Sequence, residues 1–305
     1  MQAFLAQPGG TPALSDWDPP TAEPALAPVR AAALNPVDLA IGAGGFPFRP
    51  LSAGDVLGFE GVAQTGPDTH VYFSAPAPPF GSFAERVDLS GAETVELPAG
   101  VDPVAGAALG VPGIAAFLAL TKAGRMQAGE RVLVLGGTGS VGRLTVQLAR
   151  ALGAAEVAAT TRGAGSAIER AGGRPVHATT ADEMSTGLAG LEPFDVVVDT
   201  LWGDYAGAAV EHTARYGRFA QVGNSAGARG EIAAPDFRNR GISFIGHSNF
   251  LAASAERTAA YAEVAALLAN GELEVRPDVR PLAELPQAWA DAAAGRGGGK
   301  LVVCP

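Results

Sequence analysis

Apolar and polar positions follow two different regimes along the chain. Up to about residue 110, apolar runs are short and are broken repeatedly by proline and glycine, the pattern of an irregular, mostly β domain. Strands are expected over residues 29–34, 61–64, 71–73 and 83–87, and Pro76-Ala77-Pro78-Pro79 is expected as a surface loop. Alanine-rich helical spacing then runs from 103 to 120 and is broken by Gly124 and Gly129. Beyond it, Val132 to Leu135 are four consecutive apolar residues, suited to a strand buried on both faces. Val141, Leu144, Thr145 and Leu148 follow at helical spacing. Strands at 156–160, 175–178, 194–199, 218–223 and 242–246 alternate with helices at 164–171 and 205–214. Such alternation implies an α/β domain with a doubly wound parallel sheet and helices on both faces. A long amphipathic helix at 255–270 ends at Asn270-Gly271, and the tail carries Pro281, Pro286, a glycine-rich turn at 295–299 and a strand-like 300–303. The tail is patterned like the first region, so the chain is expected to return there: residues 1–112 with 271–305 form one domain, and 113–270 the other.

Between the strand at 132–135 and its helix lies Gly136, followed by Gly137-Thr138-Gly139-Ser140-Val141-Gly142, which reads Gly-x-Gly-x-x-Gly. Glycines there let the backbone turn sharply and approach a pyrophosphate, and the helix N-terminus offers free N–H groups. Glycine turns also serve ordinary helix packing; the strand–turn–helix context is what favours a Rossmann dinucleotide site. After the second strand, an NAD site places an acid on the ribose hydroxyls, whereas this chain has Thr160-Thr161-Arg162-Gly163. Arginine pairs with a phosphate and an acid would repel one, so NADPH is the expected cofactor; the alternative is a solvated surface arginine. Thr200 and Leu201 are expected to cover the ribose, and Val222, Gly223 and Asn224 to line the nicotinamide side, because ligands bind beyond the carboxyl ends of parallel strands. Asp199 suits either a contact or a cap for the following helix.

Composition narrows the rest. With 48% hydrophobic and 17% charged residues the chain can build sizeable cores, and a net charge of -10 argues against nucleic acid or an anionic membrane as partner. No apolar run is read as reaching the roughly 20 residues of a membrane span, and no secretory signal is evident at the N-terminus, so a soluble cytoplasmic protein is expected. Cys304 is the single cysteine, which excludes an internal disulfide or a multi-cysteine zinc site. His70, His177, His212 and His247 are scattered without ligand spacing, and no serine lies in a nucleophile elbow.

Several ordered segments carry a family resemblance: Asn35-Pro36-Val37-Asp38, Gly81-Ser82-Phe83-Ala84-Glu85, Glu96-Leu97-Pro98, Gly139-Ser140-Val141-Gly142 followed by Val146-Gln147, and Gly299-Lys300-Leu301-Val302. Together they resemble the zinc-independent quinone oxidoreductase branch of the medium-chain dehydrogenase/reductase family over nearly the whole chain. The resemblance implies a GroES-like substrate domain beside the Rossmann domain, with NADPH across the cleft between them. It places the zinc ligands of metal-dependent relatives at Asn35, Phe59 and near Val111, none of which supplies thiolate or imidazole, so no metal is expected. Other departures are Ala115 in place of a threonine facing the nicotinamide, no tyrosine around Ala178-Thr179, and a shortened segment between Gly61 and Gly81.

The activity this implies is an NADPH-dependent, metal-free reductase transferring hydride to a quinone or an α,β-unsaturated carbonyl compound. Asn35 is expected to line the cleft and donate to the carbonyl oxygen. Lys300 reaches cofactor phosphate or lies exposed at its strand edge, Asp38 bonds local backbone N–H groups, and Tyr72 is a packed strand tyrosine or a proton donor. Two rivals stay open: an NADPH-binding protein with little or no turnover, and an alcohol dehydrogenase-like enzyme. The strand at 242–246 and the following His247-Ser248-Asn249-Phe250 carry no Asp, Glu, Lys or Arg. Such an uncharged sheet edge favours a homodimer, as the resemblance also implies, unless the helix at 255–270 covers it.

Overall fold

A computed structural model of the protein describes residues 1–7, 11–20, 26–296 and 299–305, so Gly297 and Gly298 of the expected tail turn lie outside the described residues. The chain divides into two compact units, Met1–Val111 with Ala253–Pro305, and Pro112–Ala252.

The first unit opens with a hairpin, β1 (Gln2–Leu5) and β2 (Ala13–Asp16), followed by β3 (Leu26–Ala33), α1 (Pro36–Gly42), β4 (Glu60–Gln64), β5 (His70–Ser74), β6 (Arg86–Asp88) and β7 (Glu93–Glu96). Antiparallel pairing of β4 with β5 sets Glu60 opposite Ser74 and Gly61 opposite Phe73. The strand expected at 83–87 shrinks to β6, which pairs with β3 at Leu26–Pro28; Ala84 instead bridges Ala3.

The helix expected from 103 is α2 (Pro103–Leu118), but it is broken in the middle. Gly110 has non-helical angles (φ -38°, ψ -108°), and Pro112 lies just beyond, unable to donate to the preceding turn. The Val111 N–H donates to Oε2 of Glu60 at 2.6 Å. A Cβ on Gly110 would lie 1.9 Å from that same oxygen, so only glycine fits there. The segment Pro103–Ala123, α2 plus a π-helical turn, is long and apolar enough to cross a membrane by length and composition, a run the sequence reading passed over; 72% of its most apolar window is buried within the fold.

The second unit alternates strand and helix throughout: β8 (Arg131–Leu135), α3 (Ser140–Ala151), β9 (Glu156–Thr161), α4 (Ser166–Arg170), β10 (Arg174–His177), α5 (Ala181–Leu188), β11 (Phe194–Asp199), α6 (Asp204–Glu211), β12 (Thr213–Gln221), α7 (Ala234–Arg238) and β13 (Ser243–Gly246). Its six strands are all parallel in the order β10-β9-β8-β11-β12-β13, the doubly wound Rossmann order. Leu133 and Leu135 pack with Met184 and Leu188 of α5 and with Ala209 and Val210 of α6. Val132 and Val134 point to the opposite face and are equally buried, so both faces of β8 are covered. Helix α5 was not anticipated, because it buries only Met184 and Leu188. Its signal is Thr180-Ala181-Asp182-Glu183, where Thr180 accepts the Glu183 N–H. Strand β12 starts five residues before the expected 218, at Thr213, whose hydroxyl donates to the Ala209 carbonyl as α6 ends.

The chain then returns through α8 (Ser254–Ala269), β14 (Asp278–Pro281), α9 (Leu285–Ala293) and β15 (Leu301–Cys304). Unlike the expected division at 271, α8 already belongs to the first unit. Tyr261 on α8 is fully buried, stacks on Tyr72 with centroids 3.8 Å apart, and donates its hydroxyl to the Gly106 carbonyl at 3.0 Å. Arg257 pairs with Glu93 of β7. Strand β15 runs antiparallel to β3 and joins a sheet ordered β14-β15-β3-β4-β5-β7.

The break in α2 gives a stability prediction. Gly110→Ala forces its methyl group onto the Glu60 carboxylate and should destabilise the protein by about 1–3 kcal/mol or more. Gly163→Ala, where an added Cβ meets nothing within 4 Å, should be close to neutral. Urea unfolding of both variants checks this, and equal midpoints would show that the Glu60 contact does not hold the break.

Candidate functional site

In the second unit, the topological switch point falls between β8 and β11, where ligands of open parallel sheets bind. The glycine turn there is built for close backbone approach: a Cβ on Gly142 would sit 2.1 Å from the Gly136 carbonyl oxygen. Gly139 is the N-cap of α3 and supplies no side-chain cap, so the first N–H groups at Ser140 and Val141 have no partner within the helix. Thr160 and Thr161, expected to face the ligand, are buried and hold the turn instead. The Gly136 N–H donates to Thr160 Oγ1 at 2.8 Å, the Gly137 N–H to the Thr160 carbonyl at 2.9 Å, and Thr161 Oγ1 accepts the Gly163 N–H. Arg162 is exposed and makes no ion pair among the described residues.

A second cation stands at this turn and was missed in the sequence. Arg143, in the first turn of α3, folds back so that Nε donates to the Thr138 carbonyl at 2.8 Å. That first turn holds no acidic residue. A cation there opposes the helix dipole, and an anion at the turn would offset the cost. The available signal was the arginine directly after the last glycine of the motif. Turn, helix end and both arginines together fit the pyrophosphate and phosphate of a dinucleotide.

Thr200 donates its hydroxyl to the Leu135 carbonyl at 2.7 Å, which ties the loop after β11 to the end of β8. Asp199 acts as a turn cap: Oδ1 accepts the Leu201 and Trp202 N–H groups at 2.8 and 2.9 Å. Its Oδ2 is buried with no partner among the described residues, and burial raises its pKa from 3.8 to about 6, against the lowering effect of those two N–H groups. Beyond the ends of β12 and β13 opens a groove of about 510 Å³ lined by Val222, Gly223 and Asn224 together with Trp202, Phe244 and Gly246.

The first unit holds a buried polar cluster. Glu60 is fully buried and receives four donors. Oε1 accepts Asn35 Nδ2 at 2.8 Å and Lys300 Nζ at 3.3 Å; Oε2 accepts the Tyr72 hydroxyl at 2.9 Å and the Val111 N–H. Asp38 accepts the Asn35 N–H, as expected, and also the distant Phe59 N–H, both at 2.8 Å. Burial pushes Asp38 up to about 7 and the Lys300 ammonium below its ordinary value.

Two sequence assignments change here. Asn35 does not present a free donor for a carbonyl oxygen, because its amide hydrogens go to the Ala33 carbonyl (3.1 Å) and to Glu60. Lys300 neither reaches toward cofactor phosphate nor lies exposed: its ammonium meets the Leu34 carbonyl, Asn35 Oδ1 and Glu60, which use all three of its hydrogens. Zinc does not fit this cluster. Asn35, Phe59 and Val111 supply neither thiolate nor imidazole, the Lys300 ammonium would repel a dication, and no group of three potential ligands exists among the described residues.

The family model described as zinc-binding dehydrogenase matches residues 152–303. The chain is similar to mycoketide-CoA synthase of Mycobacterium tuberculosis (strain ATCC 25618 / H37Rv), 30% identical over 206 residues that cover 65% of this chain and 5% of that protein. It is similar to the quinone oxidoreductase of Rattus norvegicus, 37% identical over 144 residues covering 44% of this chain and 43% of that one. The chain thus spans less than half the length of either curated relative. Among solved structures, the quinone oxidoreductase of Thermus thermophilus, also determined in complex with NADPH, is 27% identical with a TM-score of 0.81 and 100% of both chains covered. The second half of the chain matches the zinc-binding dehydrogenase family, and strand order, glycine turn and these likenesses agree with the quinone oxidoreductase branch of the medium-chain dehydrogenase/reductase family of oxidoreductases.

Proposed function

We propose that the protein is an NADPH-dependent, metal-free reductase acting on a quinone or an α,β-unsaturated carbonyl compound. The observation that carries this reading is the uncapped start of α3, flanked by Arg143 and Arg162 and with no carboxylate in the Thr160–Gly163 segment that follows β9. The chemistry NADPH supplies when bound is hydride donation from its nicotinamide. The glycine turn and the α3 N–H groups hold the pyrophosphate, Arg162 takes the ribose phosphate, and Val222, Gly223 and Asn224 shape the groove for the nicotinamide end. Quinones and enones need no metal, because the charge that develops on hydride addition is delocalised onto oxygen and asks only for orientation and exclusion of water.

A second reading, an NADPH-binding protein with little turnover, is favoured by one observation: the Asn35 amide is committed inside the Glu60 cluster. Turnover of NADPH with a panel of quinones and enals separates the two.

We also propose a homodimer formed through β13, which among the described residues pairs only with β12. Ser243 is exposed, whereas Phe244 stacks on Phe219 at 4.6 Å and belongs to the unit's own packing.

Three outcomes are expected. Arg162→Ala should weaken NADPH binding by tenfold to a hundredfold, the worth of a charge-assisted contact of about 1.5–3 kcal/mol, and leave NADH unchanged in calorimetric titration. Equal loss for both cofactors would remove the phosphate assignment. Elemental analysis should find no stoichiometric zinc, and chelator treatment should leave turnover intact; activity restored only by zinc would overturn the metal-free reading. Light scattering should give twice the 30.6 kDa chain mass, with Ser243→Lys shifting it toward monomer, while a wild-type monomer at micromolar concentration contradicts the edge pairing.

A further inference from the structure

The loop between β11 and α6 holds its tryptophan under backbone strain. Trp202 has φ +57°, in the left-handed region that bulky L-residues avoid. The strain is held in place from several sides. The Trp202 and Leu201 N–H groups are bound by Asp199 Oδ1, Trp202 forms a bridge to Gly227, and the preceding Thr200 is tied to the Leu135 carbonyl. Asp199 does this at a cost, because its other carboxylate oxygen is buried without a partner among the described residues. Core packing takes up part of the side chain, which lies against the unit's hydrophobic core. Trp202 is only half-buried, and its ring meets Phe219 edge-on at 6.5 Å. A glycine would accept the same φ without strain.

What the strained backbone does achieve is to place Trp202 at the wall of the 510 Å³ groove, beside Val222, Gly223 and Asn224. Strain retained at a ligand-lining residue and held by a buried carboxylate is the pattern of a functional clamp. We propose that Trp202 is a specificity-determining residue of this groove: its indole is the flat wall against which a planar, electron-poor ring packs, either the nicotinamide or the ring of the acceptor. The inference rests on the NADPH reading above. An electron-rich indole suits an electron-poor ring face to face or offset, and a flat groove wall selects planar acceptors over branched ones.

The test uses the full chain and Trp202→Gly, which removes the ring and relieves the strain, with Trp202→Phe as the variant that keeps a ring. Three binding or rate measurements separate the sources: the NADPH affinity, the affinity for adenosine 2′,5′-bisphosphate, which lacks nicotinamide, and the KM for menadione at saturating NADPH. If the nicotinamide is the partner, Trp202→Gly weakens NADPH about tenfold and leaves adenosine 2′,5′-bisphosphate unchanged. If the acceptor is the partner, NADPH affinity is kept and the menadione KM rises by about the same factor. In either case Trp202→Phe restores most of the loss, which a merely structural role would not produce. A folded Trp202→Gly with both NADPH affinity and menadione KM at wild-type values overturns the proposal alone. Wild-type protein that binds adenosine 2′,5′-bisphosphate and NADPH not at all overturns the NADPH reading together with it. Should Trp202→Gly fail to fold, Trp202→Leu, apolar but without a flat ring, is held to the same outcomes.

Discussion

A carboxylate taken out of water must be met by donors on nearly all its lone pairs, and Glu60 imposes that condition on the first unit. Its four donors come from the start of α1, from β5, from the break in α2 and from the residue that precedes β15. The helix therefore has to break where it does, position 110 has to be glycine, and the tail has to return to lie beside β3. Removing one donor would leave a buried charge partly unmet, which is far costlier than the net worth of the hydrogen bond lost. Asn35 serves this network from both ends of its amide, giving one hydrogen to Glu60 and accepting one from Lys300.

The second unit answers to a different condition, burial of its sheet on both faces, and that condition is what made it legible. Val132 to Leu135 had to be apolar without alternation, and the helices between strands had to be near the observed lengths. Helix α5 escaped notice because few of its residues face the core, although Thr180 and Glu183 marked its start. The early beginning of β12 escaped for a related reason: the exposed residues Arg215 and Tyr216 break the apolar run that a sequence reader follows.

Site residues were legible where a local rule governs them and illegible where long-range geometry does. The glycine turn, Arg162 and the Val222–Asn224 stretch follow from their places at strand ends. Asn35 and Lys300 lie 265 residues apart, and no spacing rule shows that they would satisfy each other rather than a ligand. Thr160 looked like a ligand contact because a hydroxyl at the end of β9 is so placed in general, yet its neighbours Gly136 and Gly137 needed it more. The left-handed backbone at Trp202 has no sequence signature, since a bulky residue is the last type that position would be expected to hold.

Asp199 carries one further consequence, for proton linkage. Its carboxyl has a pKa of about 6 in the folded chain against 3.8 as the reference, so between those values the folded state binds a proton that the unfolded chain has released. Stability from this group is complete below the lower value and is lost as pH rises through the upper one, a difference of about 3 kcal/mol. Near neutrality the loop after β11 is thus held by an ion the fold would rather keep neutral, and protonation of that group in mild acid adds to stability.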